Sequence, residues 1–126
     1  MAKVLVVDDS ELIRSELAEI LEQSGHQVVI GTDGTHGIEM AKSAPDLDLI
    51  ITDYNMPGVD GISMLMRIKE EIPQLAATPG VMVTTEVSKE LKEQAKNTGI
   101  LMWVVKPYNR EQLSQAFSLL FEKIAK

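Results

Sequence analysis

Short apolar runs alternate with amphipathic stretches five times along the chain. The first run, residues 4–7, is too short for the core of a helix and rich in β-branched side chains, so it predicts a buried strand. The stretch after it repeats Ile13, Leu17, Ile20 and Leu21 on one face of a helix. Because parallel strands need helical crossovers, this alternation predicts an α/β fold, with a parallel sheet covered by helices on both faces.

The same reasoning predicts the bounds of every element. The strands are expected at residues 4–7, 27–30, 49–51, 81–84 and 100–105. The helices are expected at residues 10–25, 35–43, 60–72, 88–98 and 109–125, with a loop at residues 74–80. The fourth helix has only Leu91 and Ala95 as clear apolar contacts, so we expect it to be the most easily displaced element.

Composition and charge exclude several classes of protein. A chain of 126 residues has room for one domain, and 44% apolar residues suffice for a core. A net charge of −7 without a basic tract argues against nucleic acid or an anionic membrane as a direct partner. The absence of cysteine rules out disulfides and thiolate metal sites. With no signal peptide and no apolar run near the ~20 residues of a membrane span, we expect a cytoplasmic protein.

Polar residues follow four of the five predicted strands at the point where each strand ends. Asp8 and Asp9 follow the first strand and Asp53 follows the third. Thr84 ends the fourth strand, and Lys106 follows the fifth. The carboxyl ends of parallel strands lie on one edge of the sheet, where open α/β sheets place their chemistry. We therefore expect three carboxylates, a hydroxyl and an ammonium group to converge.

This combination predicts phosphoryl transfer. Clustered carboxylates repel one another unless a cation joins them, and oxygen ligands without Cys or His favour Mg²⁺. Asp53 can then act as a nucleophile toward phosphorus and form an aspartyl phosphate. Lys106 and Thr84 are suited to binding the phosphoryl oxygens, since such transfer depends mainly on positioning and charge stabilisation.

The same residues carry a family resemblance. Asp8-Asp9, Asp53 followed by Asn55-Met56-Pro57, Thr84 and Lys106-Pro107 resemble the receiver domain of two-component response regulators. The resemblance covers nearly the whole chain and is greatest to the single-domain CheY type. It implies a flavodoxin-like sheet of order 2-1-3-4-5, with residues 1–126 forming one receiver domain without an output domain. It also implies a non-enzymatic signalling module of a phosphorelay, and chemotaxis is a pathway in which such modules act.

The resemblance assigns a role to each matching residue. It makes Asp53 the phosphoacceptor, with Thr84 and Lys106 as its catalytic partners. The implied Mg²⁺ ligands are Asp8, Asp9, Asp53 and the backbone carbonyl of Asn55. The implied switch pair is Thr84 and Trp103, and the residues implied to tune dephosphorylation are Asn55 and Glu86.

The implied partners are a sensor histidine kinase and a target protein that binds after phosphorylation. The target would bind the surface formed by the fourth helix, fifth strand and fifth helix, on a chain that is a monomer or weak dimer. Leu101 and Met102 add apolar bulk there, and either they form a docking site beside Trp103 or they complete the core.

Three other functions compete with this one. The chain could carry phosphate as a relay intermediate, which the sequence does not distinguish from signalling by binding. Phosphatases of the haloacid dehalogenase type also use an aspartyl nucleophile and Mg²⁺, but they need a second acid where this chain has Asn55. A receiver-like module that binds partners without phosphate is disfavoured by the intact Asp53, Thr84 and Lys106.

Overall fold

The computed structural model describes residues 1–125 and contains a five-stranded parallel sheet in the order β2-β1-β3-β4-β5. The strands are β1 (Lys3–Val7), β2 (Gln27–Gly31), β3 (Leu49–Thr52), β4 (Gly80–Thr84) and β5 (Ile100–Val105). The helices are α1 (Glu11–Gln23), α2 (Gly34–Lys42), α3 (Gly61–Glu71), α4 (Lys89–Lys96) and α5 (Arg110–Ile124). The predicted fold class and strand order are confirmed.

The sheet separates two apolar clusters. One cluster, which we call the α2–α3–α4 cluster, is centred on buried side chains such as Leu5, Ile50 and Leu65. The other, the α1–α5 cluster, contains Leu17 and Phe117 together with the opposite-facing side chains of the strands. Within residues 1–125, no helix combines the length and the apolar character that a membrane crossing requires.

Every α-helix begins with a polar side chain that caps its first turn. The caps are Ser10, Asp33, Asp60, Ser88 and Asn109, and each accepts a hydrogen bond from a backbone N–H three residues later. Such caps satisfy N–H groups that have no partner inside the helix. Because each helix follows a strand, these capped turns all lie at the carboxyl edge of the sheet and fix the loops there.

The structure corrects the loop predicted at residues 74–80. Pro73–Leu75 form a single 3₁₀ turn, and Leu75 is fully buried in the α2–α3–α4 cluster. Gly80 lies in β4 rather than in the loop, paired with Ile50 of β3 and Ile100 of β5. Proline and glycine are strong loop signals in a sequence, but here the burial of Leu75 and the pairing of Gly80 outweigh them.

Strand β5 contains a bulge that separates Leu101 from Met102. Gly80 pairs with Ile100 while Val81 pairs with Met102, so Leu101 is the extra residue. Met102 consequently packs into the α1–α5 cluster, whereas Trp103 packs on the α2–α3–α4 cluster. Leu101 is left 57% exposed at the edge of the sheet. Of the predicted apolar pair, Leu101 is therefore the exposed residue, while Met102 is half-buried.

Candidate functional site

Backbone hydrogen bonds extend three strand pairings by one residue into the predicted site. The amide of Asp8 donates to the carbonyl of Gly31 at 3.3 Å, and the amide of Asp53 donates to the carbonyl of Val7 at 3.1 Å. The amide of Lys106 donates to the carbonyl of Thr84 at 2.8 Å. The sheet itself thus fixes the positions from which these side chains extend.

Three carboxylates meet at this edge. Oxygen atoms of Asp8, Asp9 and Asp53 lie within 4.8 Å of one another. Asp8 and Asp53 are buried, with 1% and 7% of their surface exposed, whereas Asp9 is exposed. Carboxylates this close repel one another unless a positive charge lies between them. The sequence prediction that these acids converge agrees with the geometry.

Lys106 joins the two buried carboxylates. Its Nζ atom donates to Asp8 Oδ2 and to Asp53 Oδ2, each at 2.8 Å. Burial acts to lower the pKa of the Lys106 ammonium, but the hydrogen bonds and charges of Asp53 and Asp8 outweigh it and raise that pKa. Burial also raises the pKa of the Asp8 carboxyl, which its hydrogen bonds to Lys106 and Ser10 offset only in part.

The second oxygen of each buried acid is held by the backbone. Asp8 Oδ1 accepts from the amide of Ser10 at 2.9 Å, and Asp53 Oδ1 accepts from the amide of Asn55 at 3.2 Å. Both carboxylates are therefore oriented before any ligand arrives. Asn55 is placed beside Asp53 through its backbone, which is the part of Asn55 that the resemblance implies as a metal ligand.

Arg14 also contacts the site but is not among the residues predicted from the sequence. Its Nη1 atom donates to the backbone carbonyl of Asp8 at 2.7 Å. A signal for it exists in the helix pattern, because Arg14 shares the inward face of α1 with Leu17 and Leu21. A charged residue on an apolar face usually has a buried partner.

Glu86 connects Thr84, Trp103 and Asn55 beside the acidic group. Its amide donates to Thr84 Oγ1 at 3.3 Å, and its carbonyl accepts from Trp103 Nε1 at 2.9 Å. Its carboxylate accepts from Asn55 Nδ2 at 2.6 Å. Side chains predicted as a hydroxyl partner, a switch and two tuning residues thus form one hydrogen-bonded group. Leu101 and Met102 are not part of it.

Trp103 is held on several sides. It packs on the α2–α3–α4 cluster, its indole N–H is bound by Glu86, and Lys92 Nζ lies 5.9 Å from the ring centroid. A lysine at that distance from an aromatic face is weakly attracted to it. Helix α4 and the loop that precedes it therefore both contact this side chain.

Comparisons with known proteins agree with this geometry. The family model for the response regulator receiver domain matches residues 4–118. Chemotaxis protein CheY-3 of Vibrio cholerae is 31% identical over 123 residues, which are 97% of this chain and 93% of that protein.

Two solved structures show the same architecture. The chemotaxis protein CheY4 of Vibrio cholerae superposes with a TM-score of 0.85 at 38% identity, covering 94% of this chain and 98% of that one. A chain of the CheX–CheY–BeF3–Mg complex from Borrelia burgdorferi superposes with a TM-score of 0.84 at 26% identity, covering 95% and 89%.

Proposed function

The chain belongs to the family of response regulator receiver domains, and on that premise we propose that it accepts a phosphoryl group from a histidine kinase on Asp53. The family serves phosphorelay signalling and is not a classical enzyme. The observation that carries the proposal is the contact of Asp53 with Lys106 inside a group of three acids at the carboxyl edge of the sheet. The proposal keeps the cytoplasmic location that the sequence predicts.

The proposed step is an in-line transfer. A carboxylate oxygen of Asp53 forms a bond to phosphorus as the bond between phosphorus and the donor histidine nitrogen breaks. The electron pair of the broken bond returns to the imidazole. Lys106, already 2.8 Å from Asp53, stabilises charge on the phosphoryl oxygens, and the Thr84 hydroxyl donates to one of them. In this proposal the chain catalyses no reaction other than its own phosphorylation and dephosphorylation.

The donor set at the site fits Mg²⁺. Receiver domains bind Mg²⁺ at an acidic pocket, and Asp8, Asp9 and Asp53 form such a group here. Carboxylate and carbonyl oxygens are the ligands that this hard cation prefers. We propose Asp8, Asp9, Asp53 and the backbone carbonyl of Asn55 as its ligands. When bound, the ion neutralises charge on the acids and on the phosphoryl group.

Mass spectrometry tests the phosphoacceptor. After incubation with acetyl phosphate and Mg²⁺, the wild-type chain should carry one phosphoryl adduct, which should disappear in Asp53→Asn. Asp46→Asn is the matched control, because Asp46 is an exposed acid that pairs with Lys3 away from the site. An adduct of similar yield on Asp53→Asn would overturn the assignment.

We propose that Asn55 and Glu86 set the lifetime of the aspartyl phosphate. They lie two residues after Asp53 and Thr84, and they bind each other at 2.6 Å, so they should act as a unit. The expected half-life is seconds to minutes. The rate at which the adduct is lost after desalting should change in Asn55→Ala and in Glu86→Ala. The change in the double variant should differ from the sum of the two single effects. An additive result would mean that the two side chains act separately.

We propose Thr84 and Trp103 as the switch. Turning the Thr84 hydroxyl toward the phosphoryl group gives up its bond with the Glu86 amide, and Glu86 also holds the Trp103 indole. Beryllofluoride, a phosphoryl mimic, should therefore change the fluorescence of this single tryptophan. The change should be lost in Thr84→Val and kept in Thr85→Val, which alters the exposed neighbour. A full response in Thr84→Val would contradict the proposed switch.

The proposed output is binding of a target protein to a docking surface on β5 and the flanking helices α4 and α5. We define this surface by three exposed apolar residues and a row of lysines: Leu101, Val105, Leu119, Lys89, Lys92 and Lys96. A groove of about 580 Å³ runs between β5 and α5 beside Leu101 and Leu119. The exposed apolar side chains and the α4 lysines of this surface suit a target that presents an apolar side chain among carboxylates.

Binding to the target with and without beryllofluoride tests this surface. Leu101→Ser should weaken binding without unfolding the chain, because the side chain is exposed. Met66→Ser on α3 is the matched control, since Met66 is 49% exposed on a different helix. Unchanged binding by Leu101→Ser would place the docking surface elsewhere.

A further inference from the structure

We propose that Gly34, the first residue of α2, is a positioning residue for the loop at residues 54–60 that carries the metal-binding carbonyl. This inference rests on the proposed function, in which the backbone of Asn55 is an Mg²⁺ ligand. Gly34 lies about 20 positions earlier in the sequence and is not itself one of the proposed ligands. Its role would be to let α2 pack closely against Val59, at the end of the loop that lies away from Asn55.

The contact between Gly34 and the loop leaves no room for a side chain. A methyl group on Gly34 would lie 2.5 Å from the carbonyl oxygen of Val59 and 2.8 Å from its Cβ atom. The first of these atoms is backbone, which cannot rotate away as the end of a flexible side chain can. Any substitution at Gly34 must therefore move either α2 or the loop.

Helix α2 has little freedom to retreat. Its first turn is fixed by Asp33, whose Oδ1 accepts from the amide of His36 at 2.8 Å. On the sheet side, a methyl group on Gly31 of β2 would lie only 2.9 Å from the Cα atom of Gly37. Helix and strand are thus already in close contact, so the displacement falls on the loop.

The loop transmits such a displacement toward the phosphoacceptor. Its amino end is tied by the amide of Asn55, which donates to Asp53 Oδ1 at 3.2 Å. Its carboxyl end is tied by the amide of Gly61, which donates to the carbonyl of Tyr54 at 2.9 Å. With both ends anchored beside Asp53, a shift at Val59 must be absorbed by the few residues that include Asn55.

A pair of glycine-to-alanine variants separates positioning from general packing. Gly37→Ala also places a methyl group in a tight contact of α2, but the nearest atoms belong to core side chains: Sδ of the flexible Met64 at 2.7 Å and a Cγ atom of Val7 at 3.0 Å. Both variants should lower stability to urea. Only Gly34→Ala should weaken Mg²⁺ binding, by about tenfold, as is typical when a group that orients a metal ligand is disturbed.

The measurement is an Mg²⁺ titration followed by the amide NMR shifts of residues 53–60, with urea unfolding of each variant. Equal Mg²⁺ affinity in wild type and Gly34→Ala, or equal weakening in both variants, would overturn the inference. No binding by the wild-type chain would instead reject the proposed metal site. If Gly34→Ala does not fold, Val59→Gly removes the Cβ atom that lies against Gly34 from the loop side and should weaken Mg²⁺ binding. An unchanged affinity in that variant would also overturn the inference.

Discussion

At the scale of single residues, the three acids of the site are not equivalent. Asp8 and Asp53 are buried, oriented by backbone amides and bridged by Lys106. Among the hydrogen bonds of residues 1–125, none involves the Asp9 side chain, which lies exposed beside the other two carboxylates. The three carboxylates outnumber the single ammonium group of Lys106. Asp9 adds to this excess of negative charge without any compensating contact.

We therefore expect Asp9→Asn to stabilise the chain in the absence of metal while weakening its response to metal. Loss of one like charge should raise the free energy of unfolding in EDTA by about 1 kcal/mol or less, because the group is exposed. The rise in melting temperature that Mg²⁺ produces in wild type should shrink, since a ligand stabilises only as far as it binds. Thermal unfolding in EDTA and in Mg²⁺ measures both effects, and a destabilised variant in EDTA would contradict the repulsion.

His26 gives a second prediction at this scale, for the pH dependence of stability. Its ring stacks on Phe121 with centroids 4.0 Å apart, and its Nδ1 accepts from the amide of Ala2 at 3.0 Å. Burial lowers the pKa of His26, the nearby amino terminus lowers it further, and Asp48 opposes both. The folded pKa lies below the unfolded value of 6.5. The stabilising contribution of neutral His26 to the free energy of unfolding is therefore complete above that pH.

That contribution should be lost as the pH falls from 6.5 through the lower folded pKa. Urea unfolding at a series of pH values should show the decline in wild type and a flatter profile in His26→Gln. His36→Gln, which removes the other histidine, should keep the decline. Equal slopes in wild type and His26→Gln would show that His26 does not cause it.

At the scale of secondary-structure elements, α4 has the weakest attachment to the fold. Of its residues Lys89–Lys96, only Ala95 is buried, and Leu91 is half-buried. Helix α3 by contrast buries five of its residues. Since α4 also supplies contacts to Trp103 and part of the docking surface, the least anchored helix is the one closest to the proposed output.

Hydrogen exchange should reveal this difference. The amides of α4 should exchange faster than those of α3, because little apolar surface must be exposed to open the helix. Beryllofluoride with Mg²⁺ should change exchange in α4 more than in α3 if the switch acts through Trp103. Equal protection of the two helices would contradict the weak attachment of α4.

The sequence predicts these elements well where local pattern and burial agree. All five strands and all five helices are found within a few residues of their predicted bounds, because apolar periodicity decides which face of each element is buried. The bulge at Leu101 and the 3₁₀ turn at Pro73–Leu75 are not predicted, since both depend on tertiary pairing and burial. The acids, Thr84 and Lys106 could be collected from strand ends alone, and Asn55, Glu86 and Trp103 follow from the family resemblance. The Arg14 and Gly34 contacts require the packing of α1 and α2.

At the scale of the whole molecule, the net charge of the chain and the charge of the acidic site are both negative. The net charge is −7, and the site itself concentrates carboxylates at one edge of the sheet. Small phosphodonors such as acetyl phosphate are anions and should be repelled during approach. This repulsion is long-ranged, so it is screened by salt over a Debye length of about 10 Å at 0.1 M.

Phosphorylation by acetyl phosphate should accelerate with ionic strength. At saturating Mg²⁺, the rate of adduct formation should rise several-fold between low and physiological salt, because screening weakens the repulsion. Phosphoramidate, which carries less negative charge, serves as the control donor. Its rate of adduct formation should depend less on ionic strength than the rate with acetyl phosphate. A rate that falls with salt for acetyl phosphate would mean that local attraction at Lys106 outweighs the charge of the whole chain.

The bulge in β5 also bears on how the protein avoids aggregation. β5 is a terminal strand of the sheet, and an open strand edge with an exposed leucine is a template for pairing with a strand of another molecule. The extra residue at Leu101 interrupts the regular spacing of the backbone and increases the local twist. β5 can therefore display an apolar side chain at the surface without offering a flat edge on which a strand of another molecule could pair.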